Sequence, residues 1–227
     1  MMAMLLAISL TSCTKDPDLP TGYFGNYNGH DYVDLGLPSG TLWATCNVGA
    51  SSPEDHGDYF AWGETTTKSS YSWSTYKYCN GSYDKLTKYC NSSSYGNNGF
   101  TDNLTVLQSS DDAATANWGS GWCMPTKAQW KELKDNTTIT WTRQNGVRGR
   151  KFTASNGNSL FLPAAGYRYE SGLYYFVSFG YYWSSSLYTD FPYFAWLLSF
   201  RSDYCSMDGN GRDYGQSVRP VRSASQN

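Results

Sequence analysis

The chain has 227 residues, a formal net charge of −2, 16% charged and 17% aromatic residues, and 20 Tyr. That balance excludes the strong positive field a nucleic-acid or anionic-membrane surface requires. The length suits one domain with an appended arm, and Tyr and Trp beside 22 Gly and many Ser and Asn indicate a β-rich exported globule with frequent turns.

The chain opens with "MMAMLLAISLTSC", an apolar run ending in small residues and Cys13. It is too short to anchor stably across a bilayer, so residues 1–13 read as a secretory signal. "LTSC" resembles the bacterial lipobox, in which the signal is cut before a cysteine that then carries lipid; the run lacks the usual basic n-region. Residues 14–29 read as a flexible tether, with Pro, Asp and Gly concentrated in "TKDPDLPTG". "KD" after Cys13 resembles the signal that sends lipoproteins of Bacteroidetes-type bacteria to the outer face of the outer membrane.

A domain is expected over 30–227. "HDYVDLGLPSGTLWATCNVG" reads as two strands, His30 to Leu35 and Thr41 to Val48, around a "GLPSG" turn. "SSPEDHGDYFAWGE" follows as a loop with an aromatic plug of Tyr59, Phe60 and Trp62. Residues 65–110 are polar and poor in aliphatics, and read as a long irregular insertion unable to build a core of its own.

Two helices are expected next. "SSDDAATANWG" has Ser and Asp caps and closes at Gly119, and in "MPTKAQWKELKDN" Thr126 and Gln129 spell a capping box with Trp130 and Leu133 on one face. "ITWTRQ" and "VRGRKFTA" flank Asn145-Gly146 as a hairpin. "SLFLPAAGYR", "GYYWSSSL", "YFAWLLSFRS" and "GQSVRPVRS" read as further strands. In "FAWLLSFR" alternation puts Phe194, Trp196, Leu198 and Phe200 on one apolar face, and Ala195, Leu197, Ser199 and Arg201 on a mixed one. Trp183, Leu198 and Phe200 are expected in the core.

With Cys13 lipidated, five cysteines remain. Cys79 and Cys90 are expected to bridge, because both sit in a polar insertion that a staple would stabilise, leaving at least one thiol unpaired. Cys46 reads as a buried small hydrophobe. With no CxxC pair and only two histidines, His30 and His56, no metal site is expected.

The ordered motifs "VDLGLPSGTLWATCNVGASSPEDHGDYFAWGET", "DDAATANWGSGWCMPTKAQWKEL", "NGNSLFLPAAGYR", "GYYWSSSL" and "GQSVRPVR" resemble the Fibrobacter succinogenes major paralogous domain family over residues 32–222. The resemblance implies an α+β, C-type-lectin-like fold, with two short helices on small, mostly antiparallel sheets and a ligand face on the last strands. A narrower resemblance is to variable proteins of diversity-generating retroelements, whose scattered codons cluster near the C-terminus. Residues 188–213 are rich in the Tyr, Ser, Asp and Phe such codons yield, although Trp196 and Met207 are not among their products.

On this frame the expected ligand-binding residues are Tyr188, Asp190, Phe191, Tyr193, Ser199, Arg201, Asp203, Tyr204, Asn210, Arg212 and Asp213, rigid aromatics interleaved with small polar groups. The EPN, QPD and WND motifs that hold calcium in sugar-binding C-type lectins do not occur, and "SMDGNGRD" reads as a turn. His56 beside Asp55 and Asp58 reads as solvated loop, "WSSS" lacks the nucleophile-elbow glycines, and Cys123 and Cys205 lack the context of a copper-oxidase pair, so no catalysis and no cofactor are expected. Of Arg219 and Arg222, one is expected to close the fold through a salt bridge or carbonyls, and Arg148, Arg150 and Lys151 to form a solvated edge. The expected function is a lipid-anchored surface protein binding a protein or glycan, with membrane contact only through the anchor and no nucleic-acid partner. The alternative is a structural component of a surface layer or pilus.

Overall fold

The computed structural model describes residues 25–223. The expected signal, the lipidated Cys13 and the tether up to residue 24 lie outside the described residues. Where the sequence suggested that the tether runs on to 29, strand β1 (Gly25–Tyr27) already pairs with β2 (His30–Asp34), with the tight turn at Asn28 and Gly29 both at positive φ. β2 pairs with β3 (Thr41–Ala44), and β3 with the last strand, β12 (Val221–Ser223). The sheet order β1-β2-β3-β12 brings the first and last strands of the domain into one sheet, at its two edges.

The helices form where expected. α1 (Ala113–Trp118) is capped by Asp112, which accepts from the Thr115 amide, after a 3-10 turn at Ser109–Asp111. α2 (Lys127–Asp135) carries the Thr126/Gln129 capping box and buries Trp130 and Leu133. β4 (Thr137–Gln144) and β5 (Val147–Ala154) close over Asn145 and Gly146, both with φ > 0 as the primed turn requires. β6 (Ser159–Pro163) completes that sheet.

Besides β1, three strands were not read from the sequence. β7 (Tyr167–Tyr169) and β8 (Gly172–Tyr174) make a two-stranded ribbon. "SMDGNGRD", expected as a turn, lies largely within β11 (Tyr204–Gly211), which pairs with β10 (Phe194–Arg201) from one end to the other. Its glycines fit because large rings occupy their places: Gly209 faces Trp196 and Gly211 faces Phe194, and a Cβ on Gly209 would come within 2.7 Å of the Tyr188 ring.

β9 (Gly180–Leu187), β10 and β11 form the central sheet, with a core on each side. Trp183, Ala195 and Leu197 enter a core with Trp62, Tyr71, Tyr89 and Trp122. Tyr182, Leu198 and Phe200 enter a second with Trp43, Trp130, Phe152 and Val221. The expectation of one apolar and one mixed face on β10 is therefore corrected: Ala195, Leu197 and Ser199 are all buried, because the insertion and the aromatic plug cover that side. Indole N–H groups tie the layers together. Trp130 Nε1 donates to Trp183 O (3.1 Å), Trp183 Nε1 to Phe60 O (2.8 Å) and Trp62 Nε1 to Ser184 O (2.8 Å).

Arg219 closes the fold through carbonyls. Fully buried, it donates from Nη1 to Ala44 O (3.1 Å) and Thr45 O (2.5 Å) and from Nε to Asn47 Oδ1 (2.8 Å). Arg150 departs from the expected solvated edge: it is buried, and its guanidinium gathers the Arg201, Ser202 and Tyr204 carbonyls at the β10–β11 turn. Replacing Arg219 with Met should cost about 3 kcal/mol or more, since it strands two buried carbonyls and an amide oxygen. Chemical denaturation of Arg219→Met and Arg219→Lys measures this, with lysine expected to recover only part because it lacks the forked geometry.

A candidate contact face of linked aromatic rings

The eleven expected ligand residues do not share one face. Arg201, Asp203 and Tyr204 lie at the β10–β11 turn, where Arg201 Nε pairs with Asp203 Oδ1 at 2.7 Å. Tyr188, Asp190, Phe191 and Tyr193 lie at the other end of β10, a separation of about 23 Å for eight residues of strand. Asn210 is half-buried opposite Ala195, its Oδ1 accepting from the Gly211 amide. Ser199 (3% exposed), Arg212 (0%) and Asp213 (0%) are interior residues and are withdrawn from the contact set.

At the Tyr188 end the rings form a continuous strip. Trp73 meets Tyr83 (6.5 Å between centroids), Tyr83 and Tyr95 meet Tyr193 (5.2 and 5.0 Å), and Tyr193 meets Phe194 (4.6 Å) and Phe191 (5.8 Å). Phe191 leads to Tyr188 (6.2 Å), which stacks on Trp196 at 4.4 Å, and the Lys127 ammonium sits 3.2 Å over the indole. Tyr83 and Phe191 are openly exposed at 47% and 43%. Each ring is held by its neighbours, so little side-chain entropy remains to be lost on contact.

Most of this strip escaped the sequence reading. Trp73, Tyr83 and Tyr95 belong to the insertion, which is irregular as expected but is drawn onto the first core through Tyr71, Tyr76, Tyr78 and Tyr89. The run "YSWSTYKY" was the available signal. Trp196, expected among the apolar face of β10, is only partly buried and joins the strip. The expected Cys79–Cys90 bridge is absent. Both thiols are free and turned to separate carbonyls, Cys79 Sγ to Trp73 O and Cys90 Sγ to Ser92 O, each at 3.1 Å.

Other interactions staple the insertion. Asp111, buried, accepts from Tyr78 Oη and Tyr89 Oη (both 2.6 Å) and pairs with Lys88 Nζ (2.5 Å). Burial works to raise this carboxyl, yet those three donors hold it below its ordinary pKa. Arg212 fastens the insertion to the end of β11 and the 188–193 loop. Its Nη1 donates to Tyr89 O (3.0 Å) and Pro192 O (2.8 Å), Nη2 to Lys88 O (3.0 Å) and Nε to Tyr76 Oη (2.9 Å). The guanidinium lies 5.0 Å from the Trp62 ring centroid and 5.2 Å from that of Tyr76. Asn91 Nδ2 adds a bond to Thr189 O (2.9 Å).

Asp213, next in sequence, is the electrostatic cost. Neither carboxyl oxygen has a hydrogen-bond partner in another described residue, and burial pushes its pKa up to about 6, only partly offset by its own backbone amide and by Lys68. Among the described residues no group of three or more His, Cys, Asp and Glu is placed to hold a metal ion.

Two outcomes follow for these neighbours. Arg212→Lys should destabilise the chain by about 2–4 kcal/mol and speed amide exchange in the insertion before the rest of the domain, as read by hydrogen exchange. Asp213 keeps its proton in the folded chain over a range where the unfolded chain has lost it. Its contribution is therefore fully present below the ordinary carboxyl pKa and is lost as pH rises toward 6. Asp213→Asn should flatten that slope and raise the melting temperature at neutral pH, measured by thermal denaturation from pH 4 to 8.

Residues 149–221 match a sequence family described as "Domain of unknown function (DUF8237)". The matched span runs from within β5 to the start of β12, taking in the central sheet and the β7–β8 ribbon but neither the insertion nor the helices. No curated protein and no solved structure matches the chain.

Proposed function

We propose that this chain is a surface-binding protein that grips a protein or glycan through the linked aromatic strip, without calcium. The observation that carries this reading is the continuity of rings from Trp73 through Tyr193 to Trp196, contributed by two separate stretches of chain and pinned from beneath by buried Arg212. Such a surface offers area at small entropic cost, with the Asp190 carboxylate and the tyrosine hydroxyls to fix orientation. Burial and the Tyr95 and Tyr83 phenols raise the pKa of Tyr193.

On the same reading the domain has a C-type-lectin-like fold of the Fibrobacter succinogenes major paralogous domain type, and the chain is lipid-anchored at Cys13 on the outer membrane, facing outward. First and last strands sharing one sheet, two capped helices, small antiparallel sheets and a long loop region beside the last strands are consistent with that fold. The strip includes Tyr188, Phe191 and Tyr193 from the stretch whose composition resembles retroelement-diversified segments.

Binding of the full chain to an array of bacterial and host glycans and surface proteins tests the proposal. Tyr193→Ala and Phe191→Ala should each weaken the strongest interaction at least tenfold, whereas Tyr204→Ala at the far end of β10 and addition of EDTA should leave it unchanged. Loss with EDTA, or binding indifferent to Tyr193 and Phe191, would remove the strip as the contact face.

A further inference from the structure

A fully buried carboxyl sits at the seam between the insertion and the end of β11. Asp213 is 0% exposed, and neither of its oxygens is bonded to another described residue. The side chain folds back over the strand end: a Cβ on Gly211 would come within 2.7 Å of Asp213 Oδ1 and 3.0 Å of the Tyr214 ring. A carboxyl in such a place is far better tolerated with its proton than without it. Interior carboxylates are ordinarily paired, so this one calls for a reason.

The cover over Asp213 is one short stretch of the insertion, residues 68–79. Tyr71 packs on Gly215, where a Cβ would come within 2.6 Å of its ring, and Tyr76 Oη accepts from Arg212 Nε at 2.9 Å. The two tyrosines therefore touch the chain on both sides of Asp213. No named strand or helix includes this stretch. Its backbone is bridged to Glu170, and the Tyr71 and Tyr76 hydroxyls donate to Tyr59 O (2.6 Å) and Trp62 O (2.8 Å). A segment held by so few backbone bonds can open locally, ahead of the domain.

The charged and titratable groups around Asp213 leave it uncompensated. From the insertion, Lys68 is ion-paired with Glu64 at 2.9 Å and donates to Thr75 O (3.0 Å), and the Cys79 thiol donates to Trp73 O. From its own stretch, Arg212 directs its guanidinium to carbonyls and to Tyr76, and Tyr214 stacks on Tyr169. From the β7–β8 ribbon, Tyr167 meets the Tyr214 ring, and Arg168 lies 5.3 Å from the Tyr59 ring centroid. Its own backbone amide and Lys68 draw the carboxyl down, and burial outweighs both.

We propose that Asp213 is a proton-operated latch on the contact strip. With its proton, the carboxyl lets residues 68–79 close over the end of β11; without it, the carboxylate favours the opened stretch, where water reaches it. Trp73, in the middle of that stretch, rests on Tyr76 at 5.5 Å and meets Tyr83 at 6.5 Å, so opening breaks the strip at its insertion end. The closed form binds the proton more tightly than the opened one. Closure is therefore fully favoured below the ordinary carboxyl pKa, and that advantage is lost as pH rises to about 6. Control of binding by the latch rests on the strip being the contact face; the latch itself does not.

Hydrogen exchange of the full chain from pH 4 to 7 reads the latch without any ligand, once each rate is divided by that of an unstructured chain at the same pH. The amides to follow are Tyr71, Tyr76 and Lys77, bonded to Glu170 O, Trp73 O and Glu64 Oε1. Their protection should fall on the order of 100-fold across that range, without responding to low urea. Asp213→Asn, which has no proton to lose, should make the same protection independent of pH. NMR of the carboxyl carbons in the unaltered chain gives a second readout that needs no variant, with Asp213 titrating at about 6. Protection indifferent to pH in the unaltered chain, or a fall that persists in Asp213→Asn, would overturn the proposal. So would a fall that follows urea as global unfolding does, or an Asp213 carboxyl that titrates in the ordinary range. Array binding does not enter, so failure of the latch and failure of the strip are read separately.

Discussion

The interaction on which the rest depends is the capture of backbone carbonyls by buried guanidinium groups. A chain with a long irregular insertion has carbonyls that no sheet ladder can satisfy, and leaving them unpaired in the interior costs about 1–3 kcal/mol each. Arg212 meets three of them, from Lys88, Tyr89 and Pro192, along with the Tyr76 hydroxyl. Arg219 does the same for Ala44 and Thr45, and Arg150 for the β10–β11 turn. Among the described residues no carboxylate forms an ion pair with any of the three. Their charge is dispersed over carbonyl dipoles and, at Arg212, over the faces of Trp62 and Tyr76, an arrangement suited to the weakly hydrated planar guanidinium and not to an ammonium.

This fastening explains how a polar, loop-rich segment comes to be ordered. The insertion has few aliphatic residues, but its tyrosines bring both ring area and a hydroxyl. Tyr71 and Tyr76 are buried and donate to the Tyr59 and Trp62 carbonyls at 2.6 and 2.8 Å. Tyr78 and Tyr89 donate to Asp111. Tyrosine thus serves as core and as hydrogen-bond donor in the same place, and the central sheet gains a second covered face. Because β10 is buried on both sides over Leu197–Phe200, only its ends remain for contact with other molecules.

Those two ends differ in physical character. At one, rings from the insertion and the 188–196 stretch brace one another beside the charges of Lys127 and Asp190, a mixed surface that suits reversible recognition. At the other, residues 173–177 make an uncharged apolar protrusion with left-handed Tyr175 and Val177.

Much of the local structure was legible in the sequence because short-range chemistry dictates it. Asn145-Gly146 specified a primed turn, Thr126 and Gln129 a helix start, and Asp112 a cap. "GYYWSSSL" gave β9 without loss, and the aromatic plug is buried as its composition suggested. What could not be read was decided by packing between segments far apart in the chain. β11 looks like a turn because glycine and aspartate disfavour strands, until Trp196, Phe194 and Tyr188 fill the space over its glycines. Arg212 and Asp213 look like surface residues until the insertion folds across them, and Tyr188 and Tyr204 look like neighbours on one face until β10 extends between them. Sequence by itself determined the turns, the caps and the aromatic supply, since these depend on residues within about four positions of each other. Tertiary structure alone decided which aromatics became core and which became surface, because burial is set by what a distant segment places on top.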